Sequence, residues 1–215
     1  MNGLHKNQRK ILNYLLEHKD GATLEELASH LEITKTAVKE HLLKVEHMGY
    51  LSYVDSKGSV GRPKRRYLLS QDGMDAFPKQ YSWLSNSLLE HLAESTGVES
   101  VTAVMDGLAA KVAHSFEPQF KKAKTSVEML KTLTETLNGL GYRSSLRQSD
   151  LRKGAVIEAT NCVYHSVAQK HPVLCRFDLK FIENVTGGMS VHLESCIARG
   201  GSVCRFCIKK KEQKK

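Results

Sequence analysis

Residues 23–51, TLEELASHLEITKTAVKEHLLKVEHMGYL, decide how the first part of the chain folds. Thr23 followed by Glu26 is a capping box, in which hydroxyl and carboxylate each satisfy a backbone N–H left unpaired at a helix start. The helix behind it, to about Leu31, sets Leu24, Leu27, Ala28 and Leu31 on one face. A short turn through Glu32 and Ile33 reaches Thr34, a second N-cap residue. The helix it opens runs to Met48, with Val38, Leu42 and Val45 inward, and Gly49 supplies the stop. Two short helices joined by so tight a turn predict a helix-turn-helix, with the second as the recognition helix. Its outward faces carry Thr36, Lys39, Glu40, Leu43 and His47. Lys35 and Thr36 sit in the first turn, where such helices meet base edges and phosphates. Alone, this face also fits an ordinary solvated helix in a bundle.

The flanks favour the DNA-binding reading. Upstream, residues 6–18 place Ile11, Leu12, Leu15 and Leu16 at helical spacing, and Asp20-Gly21 ends the segment. Downstream, Leu51–Val54 and Tyr67–Leu69 are short β-like runs around a polar loop containing Gly58 and Gly61. A hairpin directly after a recognition helix is a wing. Its arm, Val60-Gly61-Arg62-Pro63-Lys64-Arg65-Arg66, pairs a permissive glycine and a stiff proline with cations suited to phosphates or the minor groove. The predicted DNA contacts are therefore Lys35, Thr36, Lys39, Glu40, Leu43 and His47 on the helix, with Lys57, Arg62, Lys64 and Arg65 on the wing. Residues 1–80 read as a winged-helix DNA-binding domain.

Beyond it, Gln71–Phe77 reads as a short helix. Residues 81–97 form a linker helix whose stripe of Trp83, Leu84, Leu88, Leu89 and Leu92 suits either core packing or dimerisation. Helices follow over 98–115 and 126–140, with a break from Glu117-Pro118 to Lys124. Short β-prone pieces lie at 142–148 and 154–159, short helices at 163–170 and 173–184, and strands at 188–197 and 203–209. The last two form a hairpin. Residues 98–209 thus read as an α+β sensor domain and 210–215 as a basic tail, so the fold class is α+β throughout.

The 215 residues carry a formal net charge of +9, which favours a polyanionic partner, here double-stranded operator DNA. No run approaches the ~20 apolar residues that span a bilayer, so the reading is a cytoplasmic protein without a membrane partner. No phosphate-cradling glycine motif, His-Glu-x-x-His or Ser/His/Asp constellation stands out, and no enzymatic activity is expected.

All five cysteines, Cys162, Cys175, Cys196, Cys204 and Cys207, fall in the last quarter of the chain. In a reducing compartment such crowding suggests metal ligands or redox groups rather than disulfides. Strand alternation puts Cys204 on one face with Phe206 and Ile208, and turns Cys207 to the other with Arg205. Cys196 and Cys204 flank the hairpin turn, Cys162 and Cys175 come from loops, and His165, His171 and His192 are spare nitrogen donors. A thiolate-rich site of this kind suits zinc or an iron–sulphur cluster.

Thr34–Leu51, Gly61–Leu69 (GRPKRRYLL), Phe77–Tyr81 (FPKQY), Asn161-Cys162, Val173-Leu174-Cys175 and Gly200–Ile208 (GGSVCRFCI) together resemble the winged-helix repressors of the Suf iron–sulphur cluster-assembly operon. The resemblance implies a homodimer on operator DNA with a labile [4Fe-4S] or [2Fe-2S] cluster. It assigns Cys162, Cys175 and Cys204 as ligands, with Cys196 as the fourth and Cys207 or a histidine in reserve. The alternatives are a zinc-stabilised or thiol-redox repressor, and a protein that binds a small organic ligand and whose cysteines are structural.

Overall fold

Each predicted cap of the first domain forms. In the computed structural model, which describes residues 3–56 and 64–211 (backbone only for Ser56 and Lys64), α1 spans Lys6–Glu17, α2 Leu24–Leu31 and α3 Lys35–His47. The Thr23 hydroxyl accepts from the Glu26 N–H while the Glu26 carboxylate accepts from the Thr23 N–H at 2.7 Å. Thr34 caps α3 by accepting from the Ala37 N–H. Between them Glu32 adopts φ +56, a left-handed conformation that a residue with a Cβ enters at a cost of about 1 kcal/mol. The tight turn requires it. Ile11, Leu15, Leu27, Leu31, Val38 and Leu42 form the core beneath these helices.

Strand β1, Leu51–Ser56, pairs antiparallel with β2, Lys64–Leu69, and α4, Gln71–Asp75, follows. A bridge between Ala22 and Tyr67 ties the hairpin to the start of α2. Gly21 makes this possible: its φ is +76, and a Cβ there would stand 2.6 Å from the Tyr67 carbonyl oxygen. The chain divides after this hairpin and α4 into compact units of residues 1–80 and 81–215.

The second unit is α+β. Helices α5 (Tyr81–Thr96), α6 (Val98–Phe120) and α7 (Ser126–Gly139) precede β3 (Ser144–Gln148) and β4 (Ala155–Ala159). Then come α8 (His165–Ala168), α9 (Leu174–Val185), β5 (Ser190–Ser195), a 3-10 turn at Ile197–Arg199 and β6 (Cys204–Lys209). The sheet is antiparallel in the order β3-β4-β6-β5. Its inner face offers Ala155, Ile157, Ala159, Phe206 and Ile208 to Leu130, Leu133 and Leu137 of α7 and Phe181 and Ile182 of α9. Its other face is polar, where Glu158 accepts from Arg147 Nε and Arg205 Nε, each at 2.8 Å. One prediction fails locally: α6 continues past 115 to Phe120 with Pro118 inside. Pro118 lacks only its own N–H, and the Lys121 N–H still bonds the Glu117 carbonyl, so the last turn closes.

Among the described residues, no helix is long and apolar enough to cross a membrane.

Candidate functional site

On α3 the inward stripe of Val38, Leu42 and Val45 is buried, which leaves Lys35, Thr36, Lys39, Glu40, Leu43 and His47 exposed. Their availability differs. Lys35 Nζ is already 2.7 Å from Glu25 Oε1 on α2, while Leu43 is an apolar side chain 47% exposed. On the hairpin, Arg65 lies 3.7 Å from Asp55 and its guanidinium stacks 4.0 Å from the Tyr53 ring centre. Lys57 and Arg62 fall outside the described residues, and the side chain of Lys64 is not described. Arg66 has a structural part that the sequence did not announce. Its Nε donates to the Asp20 carbonyl at 3.0 Å, its Nη2 to the Gly21 carbonyl at 2.6 Å and its Nη1 to Glu26 at 3.4 Å, which pins β2 to the α1–α2 turn.

In the second unit the topology brings four thiols into one neighbourhood and sends the fifth elsewhere. Cys175 opens α9, Cys196 ends the β5 side of the hairpin, Cys204 begins β6, and Cys162 lies half-buried in the segment after β4. Cys175 Sγ and Cys196 Sγ are 3.7 Å apart, and the Ile197 N–H points at Cys204 Sγ at 3.4 Å. Cys207 stands between His192 of β5 and Val156 of β4 in the sheet register, with its Sγ 3.8 Å from Glu194. His165 and His192 are exposed.

This neighbourhood corrects the cofactor expectation. Among the described residues no group of three or more His, Cys, Asp or Glu side chains is arranged to hold a metal ion, so neither the iron–sulphur cluster nor its zinc alternative stands. The physical reason is packing. Cys175, Cys196 and Cys204 are part of the apolar core that also contains Phe181 and Phe206, and they fill space there as small hydrophobes. Burial pushes the Cys175 thiol up to about 12 and the Cys204 thiol to about 11. The crowding that looked like a ligand set is the meeting of a helix start with a hairpin end in one core.

A polar group lies among these thiols that sequence reasoning missed. Asp178 of α9 is buried, and the Tyr142 hydroxyl donates to its Oδ1 at 2.5 Å. Burial raises the Asp178 carboxyl to about 7, against the opposing pull of the Tyr142 hydrogen bond. Burial and the Asp178 charge in turn push the Tyr142 phenol far above its ordinary value, and Tyr164 is raised by burial too. One signal was available: Asp178 falls on the apolar stripe of Leu174, Phe181 and Ile182, where an acid is out of place.

The second unit also has a recess of about 510 Å³ between α5, the start of α6 and the α8–α9 junction. Its walls are Leu89, Ala93, Val98, Val101 and Val173, with Lys170, His171 and Arg176 among the lining side chains and no acid. A smaller recess of about 310 Å³ adjoins it through Leu89, lined by Leu88, Tyr164, Val167 and Leu174. A mostly apolar hollow with a few polar groups is the usual form of a small-molecule site. From the sequence His171 reads only as a spare metal donor.

Residues 9–88 match a family model described as a winged helix DNA-binding domain. Residues 80–208, more than half of the chain, match the model described as L-2-amino-thiazoline-4-carboxylic acid hydrolase. The chain belongs to that family. Its first unit is a winged-helix DNA-binding domain, and its second is the α+β unit that carries the family match. No curated protein matches. Among solved structures, the chain is similar to the crystal structure of the phenol-responsive sensory domain of the transcription activator PoxR with phenol. The identity is 13%, the TM-score is 0.48, and the alignment covers 82% of this chain and 92% of that one. The Suf-type resemblance therefore retains its winged helix, while its cluster falls with the cofactor expectation.

Proposed function

We propose that this protein is a homodimeric transcription regulator whose second unit binds a small organic ligand and adjusts how the winged helix holds DNA. The observation that carries the reading is the pairing of an open recognition face on α3 with a separate unit that contains an apolar recess. Thr36, Lys39, Glu40, Leu43 and His47 are the side chains we assign to base and phosphate contact, with Lys35 and the wing cations Lys57, Arg62, Lys64 and Arg65 on the backbone. Support for the dimer comes from apolar side chains left exposed on two neighbouring helices: Tyr81, Trp83, Leu84 and Leu88 on α5, with Val104 and Leu108 on α6. The net charge of +9 fits a polyanionic partner.

The family takes its description from a hydrolase, but this chain's own residues favour binding over turnover. A nucleophilic thiol must be deprotonated, and burial keeps Cys175 and Cys204 protonated at neutral pH. Cys162, the most accessible of the clustered four, is raised by burial as well.

Selection from a pool of random duplexes tests the DNA assignment. Wild-type protein should enrich a two-fold symmetric site with half-sites spaced by about one helical turn. Thr36→Ala and Lys39→Ala should each lose about 1–3 kcal/mol of discrimination at one or two base pairs of each half-site. Enrichment of no sequence, or the same base preferences in all three proteins, would contradict the recognition-helix reading.

A further inference from the structure

The thiols of the second unit are nucleophilic groups that neither ligand binding nor DNA contact uses, and two of them touch. Cys175 Sγ and Cys196 Sγ stand 3.7 Å apart, both buried, on residues 21 positions apart in the chain. At that separation no other side chain lies between the sulfurs. The remaining thiols are engaged elsewhere. Cys204 Sγ accepts from the Ile197 N–H at 3.4 Å, and Cys207 Sγ donates to Glu194 at 3.8 Å. Cys162 is only half-buried, and among the described residues no other pair of sulfurs is in hydrogen-bonding contact.

The backbone around the pair clamps one partner and leaves the other room to move. The Cys196 carbonyl accepts from the Arg199 N–H at 3.1 Å and from the Gly201 N–H at 2.9 Å. A Cβ at Gly201 would stand 2.9 and 3.0 Å from the Cys196 carbonyl oxygen and nitrogen, so the turn after β5 is packed tightly onto this residue. Cys175 lies in the first turn of α9, whose N-cap, Val173, makes no side-chain cap hydrogen bond. An uncapped first turn has unpaired N–H groups and shifts at low cost. A disulfide needs the sulfurs at roughly 2 Å, and the α9 side can supply that approach.

We propose that Cys175 and Cys196 are an oxidisable pair, which a hydroperoxide converts into a disulfide joining the start of α9 to the end of β5. In the first step one thiol, as its thiolate, attacks a peroxide oxygen. An S–O bond forms, the O–O bond breaks, and the departing hydroxide takes up the thiol's proton as water. The second sulfur then attacks the sulfenic sulfur. The S–S bond forms, the S–O bond breaks, and the hydroxide released takes the second proton as a second water. The two thiols lose two electrons and the peroxide gains them. Burial sets the pace: with the Cys175 thiol pushed up to about 12, little of it is thiolate near neutral pH, so the pair reacts slowly, and faster as pH rises. The bond's α9 end lies between Val173 and Arg176, which line the recess, so the oxidised form fixes that wall. The inference does not depend on what the recess binds.

The test is oxidation of the folded full chain with hydrogen peroxide, then alkylation of the remaining thiols and peptide mapping by mass spectrometry. A cross-linked pair of peptides containing Cys175 and Cys196 should be the main product. It should form faster at about pH 9 than at about pH 7 and disappear on treatment with dithiothreitol. This mapping uses the wild-type protein, so it does not depend on how any variant folds. Cys204→Ala and Cys207→Ala should keep the bond, and Cys196→Ala should lose it. The linked protein should melt at least about 4 °C higher, because the bond constrains the unfolded chain. A different dominant pair, oxidation that stops at sulfinic acid, or thiols left unchanged by peroxide would overturn the proposal. A lower melting temperature for the linked protein would overturn it too, since the native geometry would then not accommodate the bond.

Discussion

At the scale of single residues, Asp178 is where position most changes chemistry. In water an aspartate is ionised at neutral pH, but here burial lifts its carboxyl to about 7 and Tyr142 is its hydrogen-bond donor. The folded state therefore holds its proton more tightly than the unfolded chain does. With the folded value raised, the stabilising contribution is fully present below about pH 4 and is lost as pH rises to about 7, after which it stays flat. The loss across that window is on the order of 1–4 kcal/mol. Asp178→Asn keeps an acceptor for Tyr142 and removes the titration. Chemical denaturation at steps from pH 4 to 8 should show wild-type stability declining over the window and the variant nearly level by comparison. Parallel curves for the two proteins would show that Asp178 does not titrate in the folded state. Arg66 illustrates the opposite lesson: a cation in a basic run looks like a phosphate contact, yet three hydrogen bonds spend it on holding the domain together.

At the scale of elements, the sequence was most legible where local chemistry decides the outcome. Thr23 with Glu26 and Thr34 mark the starts of α2 and α3 because a hydroxyl that caps a helix does so regardless of the rest of the fold. The β5–β6 hairpin was legible from alternation, which places Cys204, Phe206 and Ile208 together in the core. The recess was not legible, because its walls come from α5, α6 and the α8–α9 junction, and spacing within any one of them says nothing about a hollow between them. The metal expectation failed for the same reason. Thiols separated along the chain suggest convergence on an ion, whereas they converge on one another and on phenylalanine rings. Helix α5 permitted two readings, and its exposure now favours one. None of its residues is buried, and Trp83 and Leu88 are 65% and 59% exposed. If a second copy covers them, Trp83→Ser with Leu88→Ser should convert a two-chain species into single chains in analytical ultracentrifugation at micromolar concentration. The cost to the folded single chain should be small, since exposed substitutions of this kind usually change stability by no more than about 0.5 kcal/mol each. A wild-type protein that sediments as one chain, or a double variant that stays paired, would remove α5 from the dimer.

At the scale of the whole molecule, a winged-helix domain is joined to a unit of the hydrolase family that contains an apolar recess. For such a protein to regulate, occupancy of the second unit must change the free energy of DNA binding, and by linkage DNA must change ligand affinity by the same factor. Coupling of the ordinary size, about 1–3 kcal/mol, corresponds to a roughly 5–150-fold change in affinity. The most direct measurement is fluorescence anisotropy of the selected duplex titrated with the full chain, at fixed salt, with and without the tightest binder from a panel of small organic molecules at saturation. Two isotherms are expected whose midpoints differ by at least about fivefold, with the difference lost in Val98→Phe, which fills the recess, at the same probe concentration. Superimposable isotherms, with the probe shown to be bound, would contradict the coupling.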